Sequence, residues 1–193
     1  CKGKFRIMKI NSKRLYLREL TVDDVTQQYP DWLNDDDVNK FLEVRHIFHT
    51  ISSCRDFVEN TNGDENSYLF GIFERSNNNH IGNAKIGPIR REYETAEISL
   101  FIGEKSSRGK SYGKEVIHCL TKYGFESLRL ARIEAWCYEK NIGSLRAFLS
   151  LGYSLEGFMK KKYISDGVRC GAFAMGMLRE EFNIHNSQNS AWE

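Results

Sequence analysis

Residues 98–127 read without a break as a strand, a basic glycine-bearing turn and a helix, and this run narrows the folds open to the chain more than any other stretch. The apolar segment Ile98-Ser99-Leu100-Phe101-Ile102-Gly103 leads into Arg108-Gly109-Lys110-Ser111-Tyr112-Gly113-Lys114-Glu115. From Lys114 to Ser127, Val116, Ile117, Leu120, Tyr123 and Gly124 recur at helical spacing. A helix N-terminus leaves backbone N–H groups unpaired and carries partial positive charge, so a turn of this kind is a natural phosphate seat. Gly109 and Gly113 let the backbone approach a ligand closely, and Arg108 and Lys110 add charge. Taken alone, a glycine-bearing strand-to-helix turn is most often only a turn, so its meaning depends on its neighbours.

Those neighbours continue the alternation. Ile133 to Cys137 reads as a strand, and Asn141 to Leu151 as a helix closed by Gly152. Tyr153 to Ile164 and Arg169 to Leu178 read as two strands joined by a hairpin turn at Asp166-Gly167. Earlier, Arg14 to Leu20 alternates polar and apolar residues as a half-buried strand does. Thr21 is placed to cap a short helix, with Asp24 three residues on, that runs through Gln28 and ends at Pro30. Asn34 or Asp35 can cap a second helix carrying Val38, Phe41 and Leu42 on one face, which makes capping the reading of the Asp35-Asp36-Asp37 run in preference to a cation site. Ser52 or Ser53 can cap a third, through Asn60, with Cys54, Phe57 and Val58 inward. Strands follow at Tyr68 to Phe73, His80 to Ile86 and Tyr93 to Ile102. The order predicts an α+β chain with a mixed sheet of about seven strands covered by helices.

Bulk properties bound the function. At 193 residues and 40% apolar content the chain can bury one core, so a single domain over residues 8–182 is expected. Residues 1–7, which precede Met8, are set aside as a leader or cloning remnant, and 183–193 as a disordered polar tail. With 28 basic and 26 acidic residues there is no charge excess to mark a nucleic-acid binder. Five widely spaced cysteines without a CxxC pair point to reduced thiols, with neither a disulfide framework nor a metal site. No stretch is apolar enough to span a membrane, so no membrane partner and a cytoplasmic location are expected.

Within that frame, two motifs together resemble a known family. Arg108-Gly109-Lys110-Ser111-Tyr112-Gly113 is similar to the pyrophosphate loop of the Gcn5-related N-acetyltransferases, with Ser111 standing where the pattern has Gly. Asn141-Ile142-Gly143-Ser144-Leu145-Arg146, followed by Gly152-Tyr153, resembles the second acetyl-CoA motif of that superfamily, in the branch that acetylates ribosomal proteins, polyamines and amino sugars. The resemblance runs from about Arg14 to Leu178. It implies a three-layer α/β/α fold with a mostly antiparallel sheet whose central parallel strands splay apart, acetyl-CoA as co-substrate and no metal. It also implies that the pantetheine arm pairs with the backbone from Ser99 through Leu100, Phe101 and Ile102, and that the N–H groups of Arg108, Gly109, Lys110, Ser111, Tyr112, Gly113 and Lys114 hold the pyrophosphate. Asn141, Ser144 and Arg146 complete the cofactor set on this reading, with Ser144 able to donate to the departing thiolate. Helix capping is the competing reading of Asn141 and Ser144.

Transfer to an amine needs a base and a proton for the leaving sulfur. Glu97 sits in an apolar strand, where a carboxylate is costly unless paired or useful, and is the leading candidate base; a salt-bridged strand carboxylate is the alternative. Tyr138 and Tyr163 are alternative acids or substrate contacts. The segment Trp32-Leu33-Asn34-Asp35 to Phe41-Leu42-Glu43-Val44-Arg45 resembles a signature of amino-sugar acetyltransferases, which implicates Trp32, Glu43 and Arg45 in acceptor binding; ordinary helix-end solvation competes with this. Three functions stay open: acetylation of an amino sugar or nucleotide-linked amino sugar, acetylation of protein N-termini or polyamines, and a catalytically silent CoA-binding protein. A small-molecule acceptor is expected, and a homodimer stays open.

Overall fold

The computed structural model describes residues 8–165 and 167–188, with side chains through residue 184. Residues 1–7, the turn residue Asp166 and the end of the expected tail at 189–193 lie outside the described residues.

Eight strands form one sheet in the order β1-β2-β3-β4-β5-β6-β8-β7. They are β1 Lys9–Asn11, β2 Leu15–Glu19, β3 Tyr68–Glu74, β4 His80–Ile86, β5 Thr95–Ile102, β6 Arg132–Tyr138, β7 Ser154–Ser165 and β8 Val168–Leu178. All pairings are antiparallel except β5 with β6, which is parallel. The eighth strand is β1, three residues with two exposed, too short and too polar to show a period of two. β5 starts two residues later than its apolar pattern suggested, because Arg90 and Thr95 close a turn in which Glu94 takes φ +52°.

Helices cover both faces. α4 (Tyr112–Glu126), α5 (Ile142–Leu149) and α6 (Arg179–Gln188) lie over one, where Val116, Ile117, Leu120, Phe148 and Phe182 join the larger core. α1 (Gln28–Asn34), α2 (Asp36–Asn39) and α3 (Ile51–Gly63) lie over the other, with Tyr29, Trp32, Leu33, Cys54 and Val58 in a second core. The layering is α/β/α, as the resemblance implied.

Several local expectations change. Thr21 does meet Asp24, whose carboxylate accepts its N–H and its hydroxyl at 2.8 Å each, but the result is a single 3-10 turn over Val22–Asp24. Pro30 does not end a helix; it is the third residue of α1, within the first turn, where its missing N–H had no intrahelical partner to lose. Asp35 caps α2 by accepting from the Asp37 N–H at 2.8 Å. The α3 cap is Thr50, which exchanges reciprocal bonds with Ser53. Phe57, expected inward, is 45% exposed. Residues 183–188, expected in a disordered tail, continue α6, anchored by buried Phe182. Cys54, Cys119, Cys137 and Cys170 are free and buried, while Cys1 lies outside the described residues.

Candidate active site

β5 pairs with β4 along Ile98 to Ile102 but with β6 only at Thr95, Ala96 and Glu97. Past Glu97 the two strands part, and the β6-facing edge of β5 has no strand beside it. A cavity of about 620 Å³ occupies this opening, lined by Glu97 to Phe101 from β5 and by Trp136, Cys137 and Tyr138 from β6. An extended chain entering here finds a sheet edge to pair with; of the three residues expected to face the arm, Leu100 and Phe101 line the cavity and Ile102 does not.

The basic turn closes the C-terminal end of β5. Gly109 takes φ +75°, with open space where a Cβ would stand, and Ser111 takes φ +62° at the N-cap of α4. That left-handed conformation is the physical reason the loop pattern has Gly at this position. The Arg108 side chain is committed to the fold, donating to the Ile102 carbonyl at 3.1 Å and the Gly103 carbonyl at 2.9 Å. Lys110 is exposed, and its carbonyl accepts from Arg14 Nη1 at 2.9 Å. Tyr112 and Lys114 are half-buried in the first turn. An uncrowded, left-handed turn in front of a 15-residue helix fits an anionic diphosphate, held by backbone N–H groups more than by the Arg108 guanidinium.

Sequence reasoning missed what fixes this loop. Glu115, 3% exposed in the first turn of α4, accepts from the Ser12 hydroxyl at 2.6 Å and from the Arg14 N–H and Nε at 2.7 and 2.8 Å. Burial works against its ionisation, but those donors outweigh it and hold the carboxyl below its usual value. Its only signal in the sequence was an acidic residue in a first helical turn, which the helix dipole alone would explain.

On the other side of the cavity the candidate acid–base groups gather. The Glu97 side chain is 36% exposed and lies 4.0 Å from Arg90, which is also 4.0 Å from Glu134 on β6. At that distance and exposure the ion pair is weak, and Glu97 stays on the cavity wall. Tyr138 stacks on Tyr163 with centroids 4.4 Å apart. Its Oη accepts from Arg45 Nη1 at 2.7 Å, which leaves its own proton to donate. Burial raises the Tyr163 pKa, and its hydrogen bond to the Glu43 carboxylate raises it further, so Tyr163 donates to Glu43 at neutral pH. Arg45 also donates to the Leu42 and Ile164 carbonyls, fastening the 3-10 turn Glu43–His46 to β7.

Four expected residues lie outside the cavity lining. Trp32 lies outside the cavity, 6% exposed, against His80 and Phe101. A Cβ on Gly103 would come within 2.6 Å of its Cε2, so Trp32 packs the end of β5. Asn141 accepts the Ser144 N–H at 3.2 Å as the cap of α5, the competing reading of that residue. Ser144 is half-buried beside Cys137, and Arg146 is exposed; neither lines the cavity. Burial pushes the Cys137 thiol up to about 11, so it is protonated and a poor nucleophile near pH 7. Among the described residues no group of three or more His, Cys, Asp or Glu is arranged to hold a metal, and no helix is long and apolar enough to cross a membrane.

Comparison with known proteins agrees with this geometry. Residues 14–154 match the family model described as an acetyltransferase (GNAT) domain. The chain is 31% identical over 166 residues to the probable N-acetyltransferase YjcK of Bacillus subtilis (strain 168), covering 82% of this chain and 91% of that one. It is 27% identical over 174 residues to the uncharacterized N-acetyltransferase p20 of Bacillus licheniformis, covering 89% and 96%. Among solved structures, a GNAT-family acetyltransferase from Bacillus anthracis superposes with a TM-score of 0.77 at 25% identity, covering 90% of this chain and 99% of that one. Spermidine N-acetyltransferase from Vibrio cholerae, in complex with CoA and spermine, shares the fold with a TM-score of 0.79 at 17% identity, covering 88% and 98%.

Proposed function

The chain belongs to the GNAT family of N-acetyltransferases and is an acyltransferase, and we propose that it moves the acetyl group of acetyl-CoA directly to a small-molecule primary amine. The observation that carries this reading is the placement of Glu97, a partly exposed carboxylate on the cavity wall at the point where β5 and β6 part, with Tyr138 on the facing strand.

Acetyl-CoA supplies a thioester whose carbonyl carbon the amine attacks, forming the C–N bond as the C–S bond breaks. The acceptor arrives as an ammonium, which the Glu43 and Glu97 carboxylates attract. Glu97 takes the proton that frees the nitrogen lone pair. Tyr138, with its oxygen held by Arg45, gives its proton to the departing sulfur, and is better placed for this than Ser144. The loop from Arg108 to Lys114 seats the diphosphate, and the open edge of β5 aligns the arm that carries the thioester. Tyr163 orients Glu43, so the two tyrosines and two carboxylates form one polar wall.

The test is release of free CoA thiol from acetyl-CoA in the presence of primary amines, with the corresponding alcohols as controls. Amine-dependent release with stoichiometric N-acetyl product supports the proposal. Acetyl-CoA binding without release on any amine would contradict transfer to a small-molecule amine.

A further inference from the structure

We infer that the acceptor carries its amine on an apolar body, which lies against a hydrophobic wall of the cavity while the ammonium meets Glu43 and Glu97; this rests on the amine-transfer reading above. The wall is built by the segment leading into the 3-10 turn Glu43–His46, the turn itself, the residues after it and α3, and includes Phe41, Val44, Ile47 and Phe57.

Three of these residues line the cavity and face solvent at once: Val44 is 38% exposed, Phe57 45% and Ile47 62%. The cavity therefore opens to solvent across apolar side chains. Phe48, next in sequence to Ile47, extends the surface at 79% exposure. Single exposed apolar residues are ordinary, but a cluster from two elements that continues into a cavity marks a ligand surface. Phe57 makes the point sharply, since its place in α3 predicts an inward residue and it turns to the cavity mouth.

Two polar groups on this wall are already engaged, while the unpartnered Asn83 Nδ2 lines the cavity from β4, away from these residues. His49 Nε2 bonds the Val44 carbonyl at 3.0 Å, and the Ser53 hydroxyl serves the α3 cap with both its donor and its acceptor capacity. Sugar hydroxyls placed here would lose water and gain few partners, which costs affinity. Arg45, expected to meet a sugar or a nucleotide phosphate, is fastened to Tyr138, Leu42 and Ile164. A long polyamine would bring a second ammonium against apolar side chains. An apolar body satisfies the wall and leaves the carboxylates for the single amine.

The experiment compares kcat/KM across primary amines with the same head group: ethylamine, butylamine, hexylamine and phenethylamine, against glucosamine and spermidine. The expected result is a rise of about fourfold per methylene that becomes buried, with glucosamine and spermidine well below hexylamine. Ile47→Ser and Phe57→Ser should flatten that rise, with acetyl-CoA binding measured in each variant to show that it folds. A kcat/KM independent of chain length, or glucosamine or spermidine as the better substrate, overturns the apolar-body inference and leaves amine transfer standing. Turnover with none of the amines overturns both.

Discussion

The Glu115 carboxylate accepts the Nε–H of Arg14 at 2.8 Å, and Arg14 passes the constraint on through Nη1 to the Lys110 carbonyl at 2.9 Å. One buried carboxylate on α4 thereby ties the start of β2 to the backbone of the basic turn. Glu115→Gln keeps the shape but loses charge-assisted bonds, which predicts about 1–3 kcal/mol of lost stability. Chemical denaturation checks the stability; a KM for acetyl-CoA that rises with little change in kcat checks the link to the loop.

Ser111 at φ +62° stores strain that glycine would relieve. Ser111→Gly should stabilise the protein by up to about 1 kcal/mol, part of the gain being lost to the more flexible unfolded chain. In a chain of this length that is a rise in Tm of roughly 2–4 °C. A β-branched residue there, Ser111→Val, should lower Tm instead.

Gly113 has room: a Cβ at this position would meet nothing closer than Leu100 Cδ1 at 3.8 Å. Gly113→Asp should therefore fold normally yet lose acetyl-CoA binding, because a carboxylate would stand at the diphosphate seat. Unchanged affinity by calorimetry in a variant with unchanged Tm would remove the loop from cofactor binding.

Acid sensitivity follows from Asp24. Burial raises the cost of its charge, but bonds from Arg18 and from the Thr21 N–H and hydroxyl outweigh that and bring its pKa from 3.8 to about 2. A depressed carboxylate stabilises the fold fully above its unfolded pKa and loses that contribution as pH falls through the folded one. The contribution is about 2 kcal/mol, lost between about pH 4 and pH 2. Asp24→Asn should cost that amount at pH 7 and remove this part of the acid-induced loss, read from denaturation midpoints across pH.

The strand–turn–helix expected to seat the donor was legible as structure because it is local. A strand, a turn with Gly109 and a helix start lie in consecutive residues, and their backbone geometry follows from residue type. The sheet was nearly right, missing only β1, whose three residues are too few to show a pattern. Pro30 was misread because its effect depends on whether it falls inside a first turn or later. The polar wall facing Glu97 was less legible because it is made by distant pairs. Arg45 meets Tyr138 and Ile164, which are 93 and 119 residues away, and Glu43 meets Tyr163 across a similar gap. No local pattern shows that Trp32 fills the space beside Gly103 or that Phe57 turns to the cavity mouth.

The central claim is that Glu97 takes the acceptor's proton, and the most direct measurement is the steady-state kcat of Glu97→Gln with a primary amine, alongside its acetyl-CoA affinity. The account predicts a kcat lower by roughly 10²–10⁴-fold with acetyl-CoA bound as tightly as in the parent protein. A kcat equal to the parent's would contradict it.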